Sequence, residues 1–135
     1  MDGYVIMHKY IHMEIVGNWF AACKVEDALE NGGVCVKAGN EQVALFYFKR
    51  RNEWYATQNE CPHKKQMALS RGMIGTTNDE PKVACPFHKK TFSLSTGECL
   101  SGDECAIRTY PVKVENGLVY IGINKEQIND ATMIQ

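Results

Sequence analysis

Short runs of apolar residues, each bounded by turn residues, recur along most of the chain. Several of these runs alternate apolar and polar positions, which is typical of β-strands because successive side chains point to opposite faces. The predicted strands are Asn18–Ala22, Val34–Ala38, Gln42–Phe48, Trp54–Thr57, Lys82–Ala84, Thr91–Ser93, Ile107–Val114 and Leu118–Ile123. The pattern therefore predicts an all-β fold.

Turn residues separate these strands. Asn116-Gly117 is the strongest hairpin signal, because both residues accept the positive φ of a type I′ turn. Weaker turns are predicted at Gly39-Asn40 and at Ser95-Thr96-Gly97. Val25–Leu29 predicts one helical turn before Asn31-Gly32-Gly33 breaks it. The stretch from His63 to Lys82 has no clear period and is predicted to be irregular.

Length and composition limit the classes of protein to which the chain belongs. With 135 residues and 44% hydrophobic residues, one soluble globular domain is expected. The predicted boundaries are 1–16 for an N-terminal extension, 17–124 for the domain and 125–135 for a tail. A net charge of −1 argues against nucleic-acid binding. No apolar run has the roughly 20 residues of a membrane span. Charged residues interrupt Met1–Phe20, so a cytoplasmic location is expected.

The six cysteines suggest metal ligands or buried thiols rather than disulfides, because no leader points to an oxidising compartment. Cys23 and Cys35 alternate with apolar strand residues and are predicted to be buried thiols. Cys99 and Cys105 are close enough in sequence to pair, but free thiols are expected in the cytoplasm.

The remaining cysteines lie in two motifs, Cys61-Pro62-His63 and Cys85-Pro86-Phe87-His88, with 21 residues between His63 and Cys85. In a Rieske centre two cysteines bind one iron and two histidines bind the other. Each loop must then supply one ligand to each iron, which explains why both motifs mix the residue types. Cys61, His63, Cys85 and His88 are therefore the predicted ligands of a 2Fe–2S cluster.

Two cysteines and two histidines also suit a tetrahedral zinc ion. A zinc finger, however, usually pairs cysteine with cysteine and histidine with histidine, on a much smaller fold. The pairing of unlike residues favours the iron–sulfur interpretation. A non-redox structural subunit with a zinc-type Cys2His2 site stays as the alternative.

The resemblance to a known family extends beyond these motifs, across roughly residues 17–123. The further segments are Asn18-Trp19-Phe20, Gly33–Val36, Gln42–Phe46, Leu69-Ser70-Arg71-Gly72, Phe92–Cys99 and Thr109–Val112. With the two ligand motifs, they resemble the small subunit of NAD(P)H-dependent nitrite reductase. Rieske ferredoxins of ring-hydroxylating oxygenases share the same frame, so a ferredoxin is the alternative within redox chemistry.

The resemblance implies a Rieske fold of three small antiparallel sheets, with a protruding two-loop cluster-binding subdomain at about 58–95. It also implies an oxidoreductase partner, a large flavin- and sirohaem-containing subunit that reduces nitrite to ammonia. The chain itself has no glycine-rich dinucleotide motif. Its four ligands would complete both irons and leave no open position for substrate. It is therefore expected to transfer electrons within the enzyme and not to be catalytic alone.

Respiratory Rieske proteins carry a bracing disulfide and hydroxyl donors that this chain lacks. Gln66 and Phe87 stand at the disulfide positions, and Lys90 and Phe92 stand at the hydroxyl positions. Fewer donors to the cluster imply a low potential, about −150 mV.

Four lysines also follow the ligand motifs, namely Lys64, Lys65, Lys89 and Lys90. They predict either an electropositive collar for docking or an ordinary solvated surface.

Overall fold

The computed structural model describes residues 15–16, 19–38, 41–62, 65–87, 89–102 and 104–123. Over this part the chain is built from short β-strands, which confirms the predicted all-β class. The strands are β1 (Ile15–Val16), β2 (Trp19–Lys24), β3 (Gly32–Ala38), β4 (Glu41–Phe48), β5 (Glu53–Gln58), β6 (Glu60–Cys61), β7 (Gln66–Met67), β8 (Met73–Thr77), β9 (Glu80–Ala84), β10 (Thr91–Ser93), β11 (Thr109–Tyr110), β12 (Val112–Glu115) and β13 (Leu118–Gly122).

The strands pair antiparallel in three small sheets and one two-stranded ribbon. The first sheet has the order β1-β2-β13-β12, and the second has the order β11-β5-β4-β3. The third sheet has the order β10-β9-β8, and β6 pairs with β7 in the ribbon. The predicted set of three antiparallel sheets is therefore present. None of the helical segments in the described ranges is long and apolar enough to cross a membrane.

The predicted hairpin at Asn116-Gly117 is confirmed. Both residues have positive φ, 51° and 79°, and they join β12 to β13. Asparagine and glycine tolerate this left-handed conformation, which matches the twist of the flanking strands. The Gly39-Asn40 turn lies outside the described residues, although Ala38 pairs with Glu41 on either side of it.

Two short 3₁₀ turns interrupt the strands. The first, Val25–Asp27, confirms the helical turn predicted from the sequence. The second, Leu69–Arg71, lies in the stretch that was predicted to be irregular. That prediction was wrong for Met73–Thr77, which forms β8 and pairs with β9. β8 is an edge strand, and all five of its residues are exposed or half-buried. Its sequence therefore has no regular alternation of apolar and polar residues from which a strand could be predicted.

The single strand predicted at Ile107–Val114 is also wrong. Tyr110 pairs with Ala56 in the second sheet, whereas Val112 pairs with Ile121 in the first sheet. Pro111 stands at the break, where it has no N–H to give to a ladder, and its carbonyl accepts a hydrogen bond from Gly122 N. The chain therefore changes sheets at the proline.

The domain boundaries stay a prediction. Ile15 and Val16 pair with Phe20 and Trp19, so the first sheet includes two residues of the predicted extension. The rest of that extension and the tail at 125–135 lie outside the described residues.

Two hydrophobic clusters lie on opposite faces of β4. Val43 and Leu45 belong to the cluster between the first two sheets, together with Phe20 and Ile121. Ala44, Phe46 and Phe48 belong to the other cluster. Both faces of β4 are buried because successive side chains alternate between them. The second cluster also contains Cys61 and Cys85, and it therefore supports the candidate site.

Candidate metal centre

Cys61 ends strand β6 and is fully buried. The β6–β7 ribbon brings the chain back, with Cys61 paired to Gln66. The Cys61 carbonyl accepts a hydrogen bond of 2.7 Å from Lys65 N, and Lys65 has a positive φ of 54°. A backbone hydrogen bond therefore joins Cys61 to Lys65.

Cys85 follows strand β9 and is also fully buried. Its carbonyl accepts a hydrogen bond of 2.9 Å from Lys89 N, and Lys89 has a positive φ of 58°. Its own N–H donates to the Lys90 carbonyl at 2.8 Å. In both loops, the carbonyl of the cysteine therefore accepts a hydrogen bond from the N–H of the residue four positions later. We call 61–65 and 85–89 the first and second cysteine loops.

The histidine half of the predicted ligand set lies outside the described residues, at His63 and His88. Lys64 lies outside them as well. Within the described ranges, no three histidine, cysteine, aspartate or glutamate side chains come together as a metal site. The assignment of all four ligands therefore stays a prediction.

The chemistry of the two cysteines fits a metal centre. Both lie in the apolar cluster with Leu69, Val83 and Phe92, away from solvent. Cysteine sulfur is a preferred ligand both of iron–sulfur clusters and of zinc. Each of the two loops places one buried cysteine in the same hydrophobic cluster of the core. Together the two cysteines can bind one iron of a 2Fe–2S cluster.

Asn59 fixes the first cysteine loop from its base. The residue is buried, and its carbonyl accepts hydrogen bonds of 3.0 Å from both Ala68 N and Leu69 N. Its side-chain Oδ1 accepts a third bond, of 2.7 Å, from Ser70 N. Its Nδ2 donates to Gln42 Oε1 at 3.0 Å on strand β4. One asparagine therefore holds three consecutive N–H groups of the chain that leaves the loop.

The turn that Asn59 holds also contacts the second cysteine loop. A Cβ added to Gly72, directly after the turn, would lie 2.3 Å from the Ala84 carbonyl oxygen, next to Cys85. The Arg71 guanidinium lies over the Phe87 ring, 5.5 Å from its centroid. The segment Leu69–Gly72 therefore connects the two loops.

Arg71 and Gly72 lie in a segment that carries the family resemblance, but no sequence pattern indicated that these residues connect the two loops. Asn59, Arg71 and Gly72 belong to no ligand spacing, and Asn59 was not expected in a core. No local signal marks Asn59, since it stands within the polar run Thr57-Gln58-Asn59-Glu60.

The cysteines outside the loops differ from one another. Cys23 is partly buried, and burial, reinforced by the charge of Asp27, raises the pKa of its thiol to about 11. The prediction that Cys35 is buried was wrong. On edge strand β3 the alternation buries Val36 and Ala38 and exposes Cys35, whose pKa is nevertheless raised by partial burial. Cys99 is a free thiol, as predicted.

Comparison with known proteins identifies relatives of the chain. The model of the Rieske-like [2Fe-2S] domain family matches residues 18–122. The nitrite reductase (NADH) small subunit of Escherichia coli K12 is 34% identical over 106 residues, which cover 78% of this chain and 98% of that protein.

Two further relatives agree with this match. The nitrite reductase [NAD(P)H] large subunit of Klebsiella oxytoca is 38% identical over 104 residues. These residues cover 77% of this chain but 11% of that protein, so the chain spans a small part of that relative. The solution structure of the nitrite reductase [NAD(P)H] small subunit of Erwinia carotovora is 33% identical with a TM-score of 0.69. It covers 82% of this chain and 85% of its own.

Proposed function

Because the chain belongs to the Rieske-like [2Fe-2S] domain family, we propose that it is the electron-transfer small subunit of an NAD(P)H-dependent nitrite reductase. The observation that carries the proposal is the pair of cysteine loops. Both loops have the same backbone hydrogen bond, and both of their cysteines are buried in one hydrophobic cluster of the core. The chain is then one subunit of an oxidoreductase and does not reduce nitrite alone.

In this proposal Cys61 and Cys85 bind one iron, and His63 and His88 bind the other. The bound cluster supplies one-electron transfer. The loops hold the cysteines in place through the backbone bonds to Lys65 and Lys89. With all four ligands in use no metal position is open to substrate, so nitrite is reduced elsewhere in the complex.

The partner in this proposal is the large subunit, which carries flavin and sirohaem and reduces nitrite to ammonia. The proposed location is the cytoplasm. The potential is at the low end of the Rieske range, about −150 mV. Phe92, which is fully buried beside the cysteines, supports this value because it offers no hydroxyl donor to the cluster.

Replacement of the loop cysteines tests the ligand assignment. We expect Cys61→Ala and Cys85→Ala to lose iron and acid-labile sulfide, because neither loop contains a second cysteine. Cys99→Ala is the matched control and should keep both. Near-stoichiometric iron and sulfide in Cys85→Ala would contradict the assignment.

Metal analysis and reconstitution separate the proposal from its alternatives. Zinc without sulfide in the purified protein would indicate a structural site instead. A holoprotein that restores electron transfer to an oxygenase, and not to the large nitrite reductase subunit, would indicate a ferredoxin.

A further inference from the structure

Charge is segregated along the chain. The segments 61–78 and 81–97, which carry both cysteine loops, contain none of the 16 acidic residues of the protein. They contain six of its 15 basic residues, namely Lys64, Lys65, Arg71, Lys82, Lys89 and Lys90. Acidic residues flank these segments, with Glu60 before the first and with Asp79 and Glu80 between the two, at the turn from β8 to β9.

The same two segments expose large apolar side chains. Met67 is 45% exposed, Phe87 is 53% exposed and Met73 is 79% exposed. Isolated apolar residues are common on protein surfaces. Here, however, three of the six large apolar side chains exposed in the described ranges fall close to the cysteine loops.

Two contacts join some of these basic and apolar residues across the loops. The Arg71 guanidinium lies 5.5 Å from the centroid of the Phe87 ring, so a residue beside the first loop contacts the second loop. Met73 pairs with Ala84, the residue before Cys85. Lys65 and Lys89 are exposed where their loops close. We call the exposed residues beside the second loop the loop face. Its residues are Arg71, Met73, Phe87 and Lys89.

We propose that the loop face docks on the large subunit, with Phe87 as its apolar anchor. This inference rests on the function proposed above. The occupant is a patch of the large subunit that combines apolar side chains with carboxylates. The loop face has the complementary character, since it exposes the apolar side chains of Met73 and Phe87 next to the positive charges of Arg71 and Lys89. Interfaces commonly bury aromatic residues and arginine at their centres, within a polar rim.

Arg71 prepares the anchor for binding. A guanidinium over an aromatic ring is attracted to its face, and this attraction favours one orientation of Phe87 before the partner arrives. Less side-chain freedom is then lost on association. Arg71 also adds a positive charge beside the ring, which selects a carboxylate on the partner.

The test measures the affinity of the cluster-loaded protein for the purified large subunit. We expect Phe87→Ala to weaken binding at least about tenfold, a change that corresponds to about 1.4 kcal/mol. Leu29→Ala is the matched control, since Leu29 is 57% exposed and lies outside the loop face. It should change the affinity less than twofold. Arg71→Gln should weaken binding and reduce its dependence on salt.

Each outcome decides between the hypotheses. If the wild type binds the large subunit and Phe87→Ala binds equally well, the loop face is not the docking surface. If the loaded wild type does not bind the large subunit, the proposed function itself fails. If Phe87→Ala loses its cluster, Met73→Ala decides, because Met73 lies on strand β8 and not in a loop. Unchanged affinity of Met73→Ala would then overturn the proposal.

Discussion

Asn59 shows how one polar residue in a core can organise a binding loop. The side-chain amide spans from Ser70 on one side to Gln42 on the other, while the carbonyl of the same residue serves Ala68 and Leu69. These groups would otherwise be buried N–H donors without acceptors, which is costly. Burial of an asparagine is therefore tolerated here because nearly all its hydrogen-bonding groups are satisfied.

We expect Asn59→Ala to lower the free energy of unfolding by about 1–3 kcal/mol, because Ser70 N–H then loses its acceptor inside the protein. The first cysteine loop should also release iron faster on incubation with a chelator. Urea denaturation and iron release measure the two effects. Gln42→Ala is the comparison, since it removes the acceptor of Asn59 Nδ2 and of Cys35 Sγ but leaves the bond from Ser70 N to Asn59 Oδ1. An equal loss in both variants would argue against the role of Oδ1.

The raised pKa of Cys23 predicts a loss of stability in alkali. In the unfolded chain the thiol ionises near its ordinary pKa of 9.0, whereas in the folded protein it stays protonated up to about 11. Between these values the unfolded state binds fewer protons, so the free energy of unfolding falls as pH rises. The full loss from this residue, reached above the folded pKa, is about 3 kcal/mol, since the shift is about two pKa units and each corresponds to about 1.4 kcal/mol.

Cys23→Ser isolates this effect, because serine does not ionise in the range concerned. Urea denaturation of wild type and variant at pH 8 and pH 10.5 gives two changes in stability to compare. The wild type should lose more stability than the variant. Equal losses would show that the Cys23 thiol does not contribute. The other titrating groups are shared by both proteins and cancel in the comparison.

At the scale of elements, the segment Leu69–Gly72 sets the spacing between the two cysteine loops. It is bound to Asn59 on one side and packs against Ala84 on the other. No side chain fits at Gly72, because a Cβ would lie 2.3 Å from a backbone oxygen of the strand that leads to Cys85. The close approach depends on the missing Cβ and not on an unusual φ.

We therefore expect Gly72→Ala to destabilise the protein by about 1–3 kcal/mol and to lower its cluster content, because the second loop must move away. Gly75→Ala is the matched control on the neighbouring strand, where the nearest atom to an added Cβ is 3.8 Å away. Thermal denaturation and iron content compare the two variants. Equal behaviour would contradict the tight contact at Gly72.

The sequence pattern predicted those elements whose burial is regular. Glu41–Phe48 and Leu118–Gly122 have buried runs, and both were predicted within one or two residues. The pattern failed where a partner decides the structure. Met73–Thr77 is a strand only because β9 pairs with it, and Cys35 is exposed because it lies on the face of β3 opposite to the buried Val36 and Ala38. The pairing is not encoded in the local sequence, and the alternation alone does not show which face of β3 is buried.

At the scale of the whole molecule, a candidate site could be proposed from the sequence because its predicted ligands form local motifs. Cys61 and Cys85 were proposed as ligands from their spacing, and in the structure both lie in one hydrophobic cluster of the core. The contact between Arg71 and Phe87 joins residues that are distant in sequence, so no motif could reveal it. The basic character of the loops was visible in the sequence as four lysines, but their relation to the exposed apolar residues required the fold.

The separation of charge makes a last prediction about rates. Changing Lys64, Lys65, Lys89 and Lys90 to Glu should slow electron transfer between the chain and the large subunit at low salt, because steering toward an acidic patch is replaced by repulsion. The effect should shrink as salt is added, since the Debye length falls to about 8 Å at physiological ionic strength. Stopped-flow kinetics across a series of salt concentrations measures the rate.

The matched control is a second quadruple variant, in which the same change in net charge is made at four basic residues far from the cysteine loops in sequence. Lys24, Lys37, Lys49 and Arg50 are exposed and lie outside the loop face, so their replacement by Glu changes the total charge equally. If only the total charge mattered, both quadruple variants would slow alike. We expect the loop variant to slow far more, because the charge next to the docking surface acts at the shortest distance. A loop variant as fast as wild type at low salt would identify the lysines as ordinary solvated surface.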